Sequence, residues 1–407
     1  MKVLLTAAGS RGDMQPILAL ALALRARGHE PRVCASPNGA AMFERHQLPF
    51  FPMGLDTREF LVENAAAAQD APIAALRGFL GVVKRLVDSQ MALLPAHAAW
   101  ADVFLGSGLV VAGPTAAELA GIPYRLAILC PQLIPSASHP PFLYPGEGNP
   151  WLNRALWWAV KRVLHYGGAR GMDAHRRALG LPALPDYYTQ IFTPGSLLVA
   201  TEPTLSPAPT DYDASVNQTG FWLVPEAPAE ALAPELLDYV RAAPTVFVGF
   251  GSMPDPDPAT TTALIAEGVR RAGVRALIHR GWAGLGGGDL PDNCRVIGPT
   301  PHSALFRELA GVIHHGGSGT TATAARAGVP QVAVPHLLDQ PYWGRQIHGA
   351  GLGPPAIRRG RLTPDKLAAL IRSLAAGEHR EAAAAMADTL SARGGVEAAV
   401  DALENAR

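Results

Sequence analysis

Gly311-Val312-Ile313-His314-His315-Gly316-Gly317-Ser318-Gly319-Thr320-Thr321 decides how this chain is read. Its first three residues predict a short buried strand, and residues 321–328 predict a helix ending on a C-terminal glycine. A strand that feeds a helix through a Gly/Ser/Thr turn aims free backbone N–H groups and the positive end of the helix dipole at one point. That suits a phosphate. His315, at the end of the strand, adds a side-chain donor. Residues 329–334 predict the next strand, which closes on Pro335 and leads to Asp339-Gln340, an acceptor and a mixed donor/acceptor suited to hydroxyls. A diphosphate seat beside a hydroxyl-gripping pair describes a nucleotide-sugar site.

Outward from that stretch, both halves of the chain alternate short apolar strands with amphipathic helices, the pattern of doubly wound parallel sheets. In the first half, strands are expected at 3–7, 31–35, 103–105, 124–129 and 197–200, and helices at 16–27 and 114–120. A Pro/Ser/Gly-rich loop over 132–150 precedes an aromatic helix over 151–165. The second half opens with a strand at 245–250, the turn Gly251-Ser252 and a helix near 258–272, followed by strands at 276–278 and 295–297. Proline is dense over 203–228, which marks a linker. The expected organisation is an N-terminal acceptor-binding domain over 1–205, a linker over 206–230, a C-terminal nucleotide-sugar domain over 231–390 and a last helix over 391–407.

Four segments in order carry a family resemblance: Gly9-Ser10-Arg11-Gly12-Asp13-Met14-Gln15-Pro16, then Gly249-Phe250-Gly251-Ser252-Met253, then the His315 turn, then Asp339-Gln340-Pro341-Tyr342-Trp343 with Gly351-Leu352-Gly353-Pro354-Pro355. Together they resemble the nucleotide-sugar-dependent glycosyltransferases of the GT-B fold, which glycosylate antibiotics, sterols and other lipophilic natural products. The resemblance implies an α/β protein of two Rossmann-like doubly wound domains with an interdomain cleft, closing on the linker as a hinge, and a last helix that crosses back to the N-terminal domain. It also implies an inverting enzyme that moves a hexose from a UDP- or dTDP-sugar to a hydroxyl of a lipophilic aglycone, with no metal required.

The resemblance also gives the residues expected roles. Asp13 takes the acceptor proton; on spacing alone it reads equally as a helix N-cap before Gln15-Pro16. His315 and the amides around Gly317, Ser318, Gly319 and Thr320 hold the diphosphate, whereas His314 reads as a core or strand-end histidine. Ser252 contacts the diphosphate, although a Gly-Ser turn needs no function. Trp282 and the backbone at Pro299 flank the nucleobase, with ordinary packing an equal reading for Trp282. Asp339 and Gln340 hold the donor sugar, with helix capping the competing reading for Asp339. Relatives place a glutamate on the ribose where Thr323 stands here, which leaves uridine versus thymidine open. From the residues themselves, Ser10, Phe142, Tyr144 and Trp157 are candidates for the acceptor, drawn from the first turn and the aromatic-rich region, with an amphipathic helix packing on the core the commoner reading of the aromatic stretch 151–158.

Composition sets the outer bounds. With 48% hydrophobic and 17% charged residues the chain has a large core. A formal net charge of zero gives no footprint for nucleic acid or for an anionic membrane surface. Cys34, Cys130 and Cys294 make no metal spacing, and the His-His pair lacks the flanking ligands of a zinc site. The first apolar run is too short for a signal peptide, and no run approaches the ~20 apolar residues of a membrane span. These features lead to the expectation of a soluble cytoplasmic protein, a monomer or homodimer. Two rival readings are a sterol or envelope-lipid glycosyltransferase, disfavoured by the lack of a basic amphipathic stretch, and a catalytically silent nucleotide-binding auxiliary, disfavoured by intact Asp13, His315 and Asp339-Gln340.

Overall fold

The computed structural model describes residues 1–57, 72–142, 144, 146, 148–192, 196–212, 215–224, 232–391 and 394–405. The chain divides into two units, Met1–Val224 with Gly394–Arg407, and Pro225–Arg393. Among the described residues the first unit is built on seven parallel strands, β1 (Lys2–Ala8), β2 (Glu30–Ala35), β3 (Phe50–Pro52), β4 (Val103–Gly108), β5 (Tyr124–Ile128), β6 (Ser196–Val199) and β7 (Ser215–Gln218), in the order β3-β2-β1-β4-β5-β6-β7. Its helices in chain order are α1 (Arg11–Ala26), α2 (Ala40–Glu44), α3 (Pro72–Ala98), α4 (Gly113–Ala120), α5 (Pro150–Ala178) and α6 (Tyr187–Phe192). β1 shows why this sheet reads as unbroken apolar runs. Val3, Leu5 and Ala7 join one core with Ile17 and Leu20 of α1, while Leu4 and Ala8 join the core on the other face with Val87 and Phe104. Alternate side chains leave a strand on opposite faces, and helices cover both.

The described residues of the second unit form five parallel strands, β8 (Thr245–Gly249), β9 (Arg275–His279), β10 (Cys294–Ile297), β11 (Gly311–His314) and β12 (Gln331–Ala333), in the order β10-β9-β8-β11-β12. Its helices are α7 (Pro234–Arg241), α8 (Pro258–Ala272), α9 (His302–Phe306), α10 (Ser318–Arg326), α11 (Gln340–Gly349), α12 (Pro364–Ala376) and α13 (Arg380–Ser391). The last helix, α14 (Gly395–Glu404), packs in the first unit: Ala399, Val400 and Leu403 enter the core beside α1. Arg27 pairs with Asp401 and Glu404, and His29 Nε2 lies 2.7 Å from Glu404 Oε1.

Strand order locates the ligand sites. In the first sheet the chain winds outward one way from β1 and the other way from β4; in the second it does so from β8 and β11. Ligands of open α/β sheets bind off the carboxyl ends of strands at such reversals. Asp13 follows the end of β1, and His315 follows the end of β11.

Three elements differ from the sequence expectation. Ser215–Gln218, expected within the linker, is the edge strand β7, paired residue for residue with β6. Only Val216 in it is apolar, so no alternation marked it; its fastening is polar, with Gln218 Nε2 donating to the Thr201 carbonyl at 2.9 Å. Residues 225–230 of the expected linker lie outside the described residues. The aromatic helix runs on past residue 165 to Ala178, through two consecutive glycines. And α1 begins at Arg11, not Pro16, because Ser10 caps it.

Candidate active site

In the second unit, β11 delivers two adjacent histidines to opposite fates. His314 is fully buried. Its Nδ1 accepts the Gly316 N–H at 3.1 Å, and its Nε2 lies 3.0 Å from Gln331 Oε1. The Gly316 donor fixes the tautomer, leaving the proton on Nε2 for Gln331. Gln331 Nε2 in turn donates to the Thr321 carbonyl at 3.2 Å. This relay ties the glycine turn to the first turn of α10. Burial pushes His314 down to about 4, with the Gln331 bond opposing, so the ring is neutral at physiological pH. The core reading of His314 fits this geometry.

His315 turns the other way, and glycines make its seat. A Cβ on Gly251 would stand 2.9 Å from His315 Cε1, and a Cβ on Gly317 would collide with His315 Nε2. Gly316 has φ +89°, and a Cβ there would stand 2.9 Å from the Gln340 carbonyl. Burial, then the neighbouring rings of His314, His336 and His302, hold His315 well below its usual range, so it presents a neutral imidazole. Its Nδ1 is buried with no hydrogen-bond partner among the described residues. Leaving such an atom unmatched costs ~1–3 kcal/mol, which an incoming acceptor or donor would recover. Next to it α10 starts: Gly317 is the N-cap without a side-chain bond, and Thr321 N–H to the Gly317 carbonyl, 3.0 Å, is the first bond of the helix. The Ser318, Gly319 and Thr320 N–H groups precede that bond and point out of the helix end.

The nucleobase and diphosphate candidates gather at the same edge. Trp282 N–H donates to the Gly251 carbonyl at 3.0 Å, and Arg280 N–H to the Ile297 carbonyl at 3.0 Å. Ser252 sits half-buried in the turn closed by Met253 N–H to the Phe250 carbonyl, 3.1 Å, while Pro299 is exposed one residue past Gly298. The Thr323 hydroxyl donates to the Gly319 carbonyl at 2.8 Å.

Asp339 and Gln340 lie in different settings. Asp339 is the residue before α11 yet makes no side-chain cap; its Oδ2 accepts Trp343 Nε1–H at 3.0 Å. Gln340 is 3% exposed. Its Oε1 accepts the His336 and Leu337 N–H groups at 2.7 and 3.1 Å, and its Nε2 lies 3.1 Å from Met253 Sδ. Gln340 therefore locks the turn after β12, and the Asp339 carboxylate is the half-exposed member of the pair.

In the first unit Asp13 is not an N-cap. Ser10 holds that position, and Asp13 closes a capping box from the third helical residue, its Oδ2 accepting Ser10 N–H at 2.7 Å and Ser10 Oγ–H at 3.2 Å. A Cβ on Gly9 would overlap Asp13 Oδ2, and one on Gly108 would stand 3.5 Å from Oδ1. The missing side chain of Gly9 thus lets the carboxylate lie against the end of β1, while Gly108 leaves it ordinary contact distance at the end of β4. Desolvation raises the Asp13 carboxyl above its ordinary value, against the Ser10 bonds that lower it. The carboxylate opens on a pocket walled by Gly108, Leu126, Ala127, Ile128, Leu129, Leu133 and Phe192.

Residues 3–133 match the family described as the glycosyltransferase family 28 N-terminal domain, and residues 278–405 the erythromycin biosynthesis protein CIII-like C-terminal domain. The glycosyltransferase GtfE of Amycolatopsis orientalis is 36% identical over 98% of this chain and 96% of its own length. The chain belongs to this glycosyltransferase family. The vancomycin aglycone glucosyltransferase of the same organism is also 36% identical to it, over 98% of this chain and 96% of its own. Two solved structures share the GT-B fold: the kitacinnamycin glycotransferase (TM-score 0.76, 22% identity, 100% of this chain and 98% of that one) and the glycosyltransferase VinC in complex with DTDP (0.72, 22%, 100% and 99%).

In this glycosyltransferase the acceptor-side candidates lie in different settings. Trp157 is 4% exposed, its Nε1–H donates to the His139 carbonyl at 3.1 Å, and its ring packs edge-on against Tyr188. It is a core residue. Ser10 spends its hydroxyl on the cap and on Asp13. Phe142 and Tyr144 are half-buried in the loop before α5 and line no wall of the Asp13 pocket. The residues that do line it, Ile128, Leu129, Leu133 and Phe192, were missed. Their one sequence signal was position: Ile128 ends β5, and Leu129 and Leu133 follow it within five residues.

Gly317→Ala isolates the seat of His315, because Gly317 has an ordinary φ of −72° and the added methyl strains only the imidazole. Overpacking of this kind costs ~1–3 kcal/mol. The expected outcome is at least a tenfold weaker binding of nucleoside diphosphate by calorimetry, with kinetics toward the acceptor's KM unchanged.

Proposed function

We propose that this enzyme transfers a hexose from a nucleoside diphosphate sugar to a hydroxyl of a lipophilic natural-product aglycone with inversion at the anomeric carbon. The observation that carries the reading is a desolvated carboxylate, Asp13, opening on an apolar pocket of the first unit. A lipophilic acceptor seats against Ile128, Leu129, Leu133 and Phe192 with its hydroxyl at Asp13 Oδ1. As the acceptor oxygen bonds to the anomeric carbon, its proton passes to Asp13 and the bond from that carbon to the diphosphate breaks. A carboxylate with a raised pKa is a better partner for a proton leaving an alcohol, although the transfer still waits for C–O bond formation.

Negative charge then grows on the leaving diphosphate. The Ser318, Gly319 and Thr320 amides, the α10 dipole and a neutral His315 N–H receive it, with Ser252 alongside. No metal enters this scheme. The Asp339 carboxylate accepts from donor-sugar hydroxyls; Gln340 acts by holding that turn, with Trp282 and Pro299 beside the base. Thymidine is favoured over uridine, since the Thr323 hydroxyl donates to the Gly319 carbonyl and threonine offers no carboxylate to a ribose 2′-hydroxyl. VinC, solved with DTDP, is consistent with that preference.

The test is transfer by the purified protein from dTDP- and UDP-hexoses to glycopeptide, macrolide and sterol acceptors, with product configuration read from the anomeric coupling. A product of retained configuration would sink the mechanism. Ser10→Ala gives a pH signature: it deletes a bond that lowers the Asp13 pKa, so the acid limb of the kcat/KM profile should move to higher pH. A limb moving to lower pH, or not moving, would remove Asp13 from that limb.

A further inference from the structure

α5 carries a surface that the transfer reaction leaves unused. One side of it buries Asn153, Trp157 and Leu164. On the opposite side Trp151, Trp158 and Tyr166 are 77%, 64% and 65% exposed, with exposed Arg154 and Arg162 among them. At 100° per residue these five fall within about 120° of arc, a stripe ~22 Å long. The Arg162 guanidinium lies 5.6 Å from the Trp158 ring, and its Nη1 donates to the Tyr166 hydroxyl at 3.2 Å.

Charge sharpens the observation. The chain as a whole has formal net charge zero. Yet α5 holds Arg154, Lys161, Arg162, Arg170, Arg176 and Arg177 against Asp173 alone. Arg176 is taken by Glu118 and His175 by Asp88, whereas no ion pair among the described residues engages Arg154 or Arg162. Large amphipathic rings and guanidinium groups on one face, with no acid between them, match the chemistry of a lipid headgroup layer. Trp and Tyr rings enter its apolar boundary with N–H and O–H at the polar side, and guanidinium groups meet phosphates.

We propose that this face of α5 docks the enzyme on an anionic lipid surface. The docking is peripheral: no helix among the described residues is long and apolar enough to cross a membrane. It holds whichever acceptor the enzyme glycosylates. The sequence showed no basic amphipathic stretch because Trp157 and Trp158 read as one aromatic cluster; the structure sends the first into the core and the second into solvent.

The test is sedimentation of the purified full chain with vesicles of phosphatidylcholine alone and of a two-to-one mixture with phosphatidylglycerol, alongside tryptophan emission. Binding to the mixed vesicles, weakened by salt and accompanied by a blue shift, is expected. Arg154→Gln with Arg162→Gln should lower partitioning about 25-fold, roughly fivefold for each cation. Trp151→Ser with Trp158→Ser should abolish the blue shift, with thermal melts unchanged for both pairs. No binding to either vesicle, binding indifferent to the four substitutions, or self-association of the chain lost in the same variants would overturn the proposal.

Discussion

Asp13→Asn is expected to lower kcat by about 10²–10⁴ while donor affinity stays at the wild-type level. The asparagine carbonyl oxygen can take over the two Ser10 donors now received by Oδ2, so the capping box and the start of α1 survive. What the amide cannot do is accept the proton released when the acceptor hydroxyl bonds to carbon. Stability should move the other way from activity. The folded-state pKa of Asp13 lies above its unfolded value. Its contribution to stability is therefore fully present below the unfolded pKa and is lost as pH rises through the folded pKa. At pH 7 the buried charge opposes folding, and the asparagine variant should melt at the same temperature or higher. A melt that falls by many degrees would mean the carboxylate is structural. Transfer rates at saturating donor and acceptor, with a thermal melt at pH 7, read both halves.

His315→Ala should cost about 10²–10³ in kcat/KM for the donor, the range for deleting one preorganised donor to developing charge. The donor KM should rise and the acceptor KM should not, since the imidazole stands in the second unit at the end of β11 and the apolar pocket in the first. Because His315 is held neutral, the loss should be the same at pH 6 and pH 8 in the free enzyme's profile. A loss confined to low pH would identify a protonated imidazole as the active form, against the neutral-donor account.

Much of this was legible in the sequence, for physical reasons. Parallel strands buried on both faces leave short apolar runs, so β1, β8 and β11 were visible; and glycines that accommodate an imidazole or a carboxylate cannot be replaced by chance turn residues, so both site segments stood out. Asp13 and His315 follow the ends of β1 and β11, two of the strands at which the sheets reverse direction. What stayed hidden was hidden by side-chain direction. Nothing in Trp157-Trp158 says which ring is buried. Nothing in the sequence says that the Gln340 amide oxygen closes the turn at His336 and Leu337. Asp13 and Ser10 share one capping box, and spacing alone could not say which residue starts the helix. β7 is held by Gln218 and by pairing with β6, a kind of stability that leaves no periodic trace.

The most direct test is calorimetric titration of dTDP and UDP into the wild type, Asp13→Asn and His315→Ala. The account predicts that Asp13→Asn binds dTDP as the wild type does, that His315→Ala binds it at least tenfold more weakly, and that UDP binds less tightly than dTDP to the wild type. Equal dTDP affinity in the wild type and His315→Ala would contradict it.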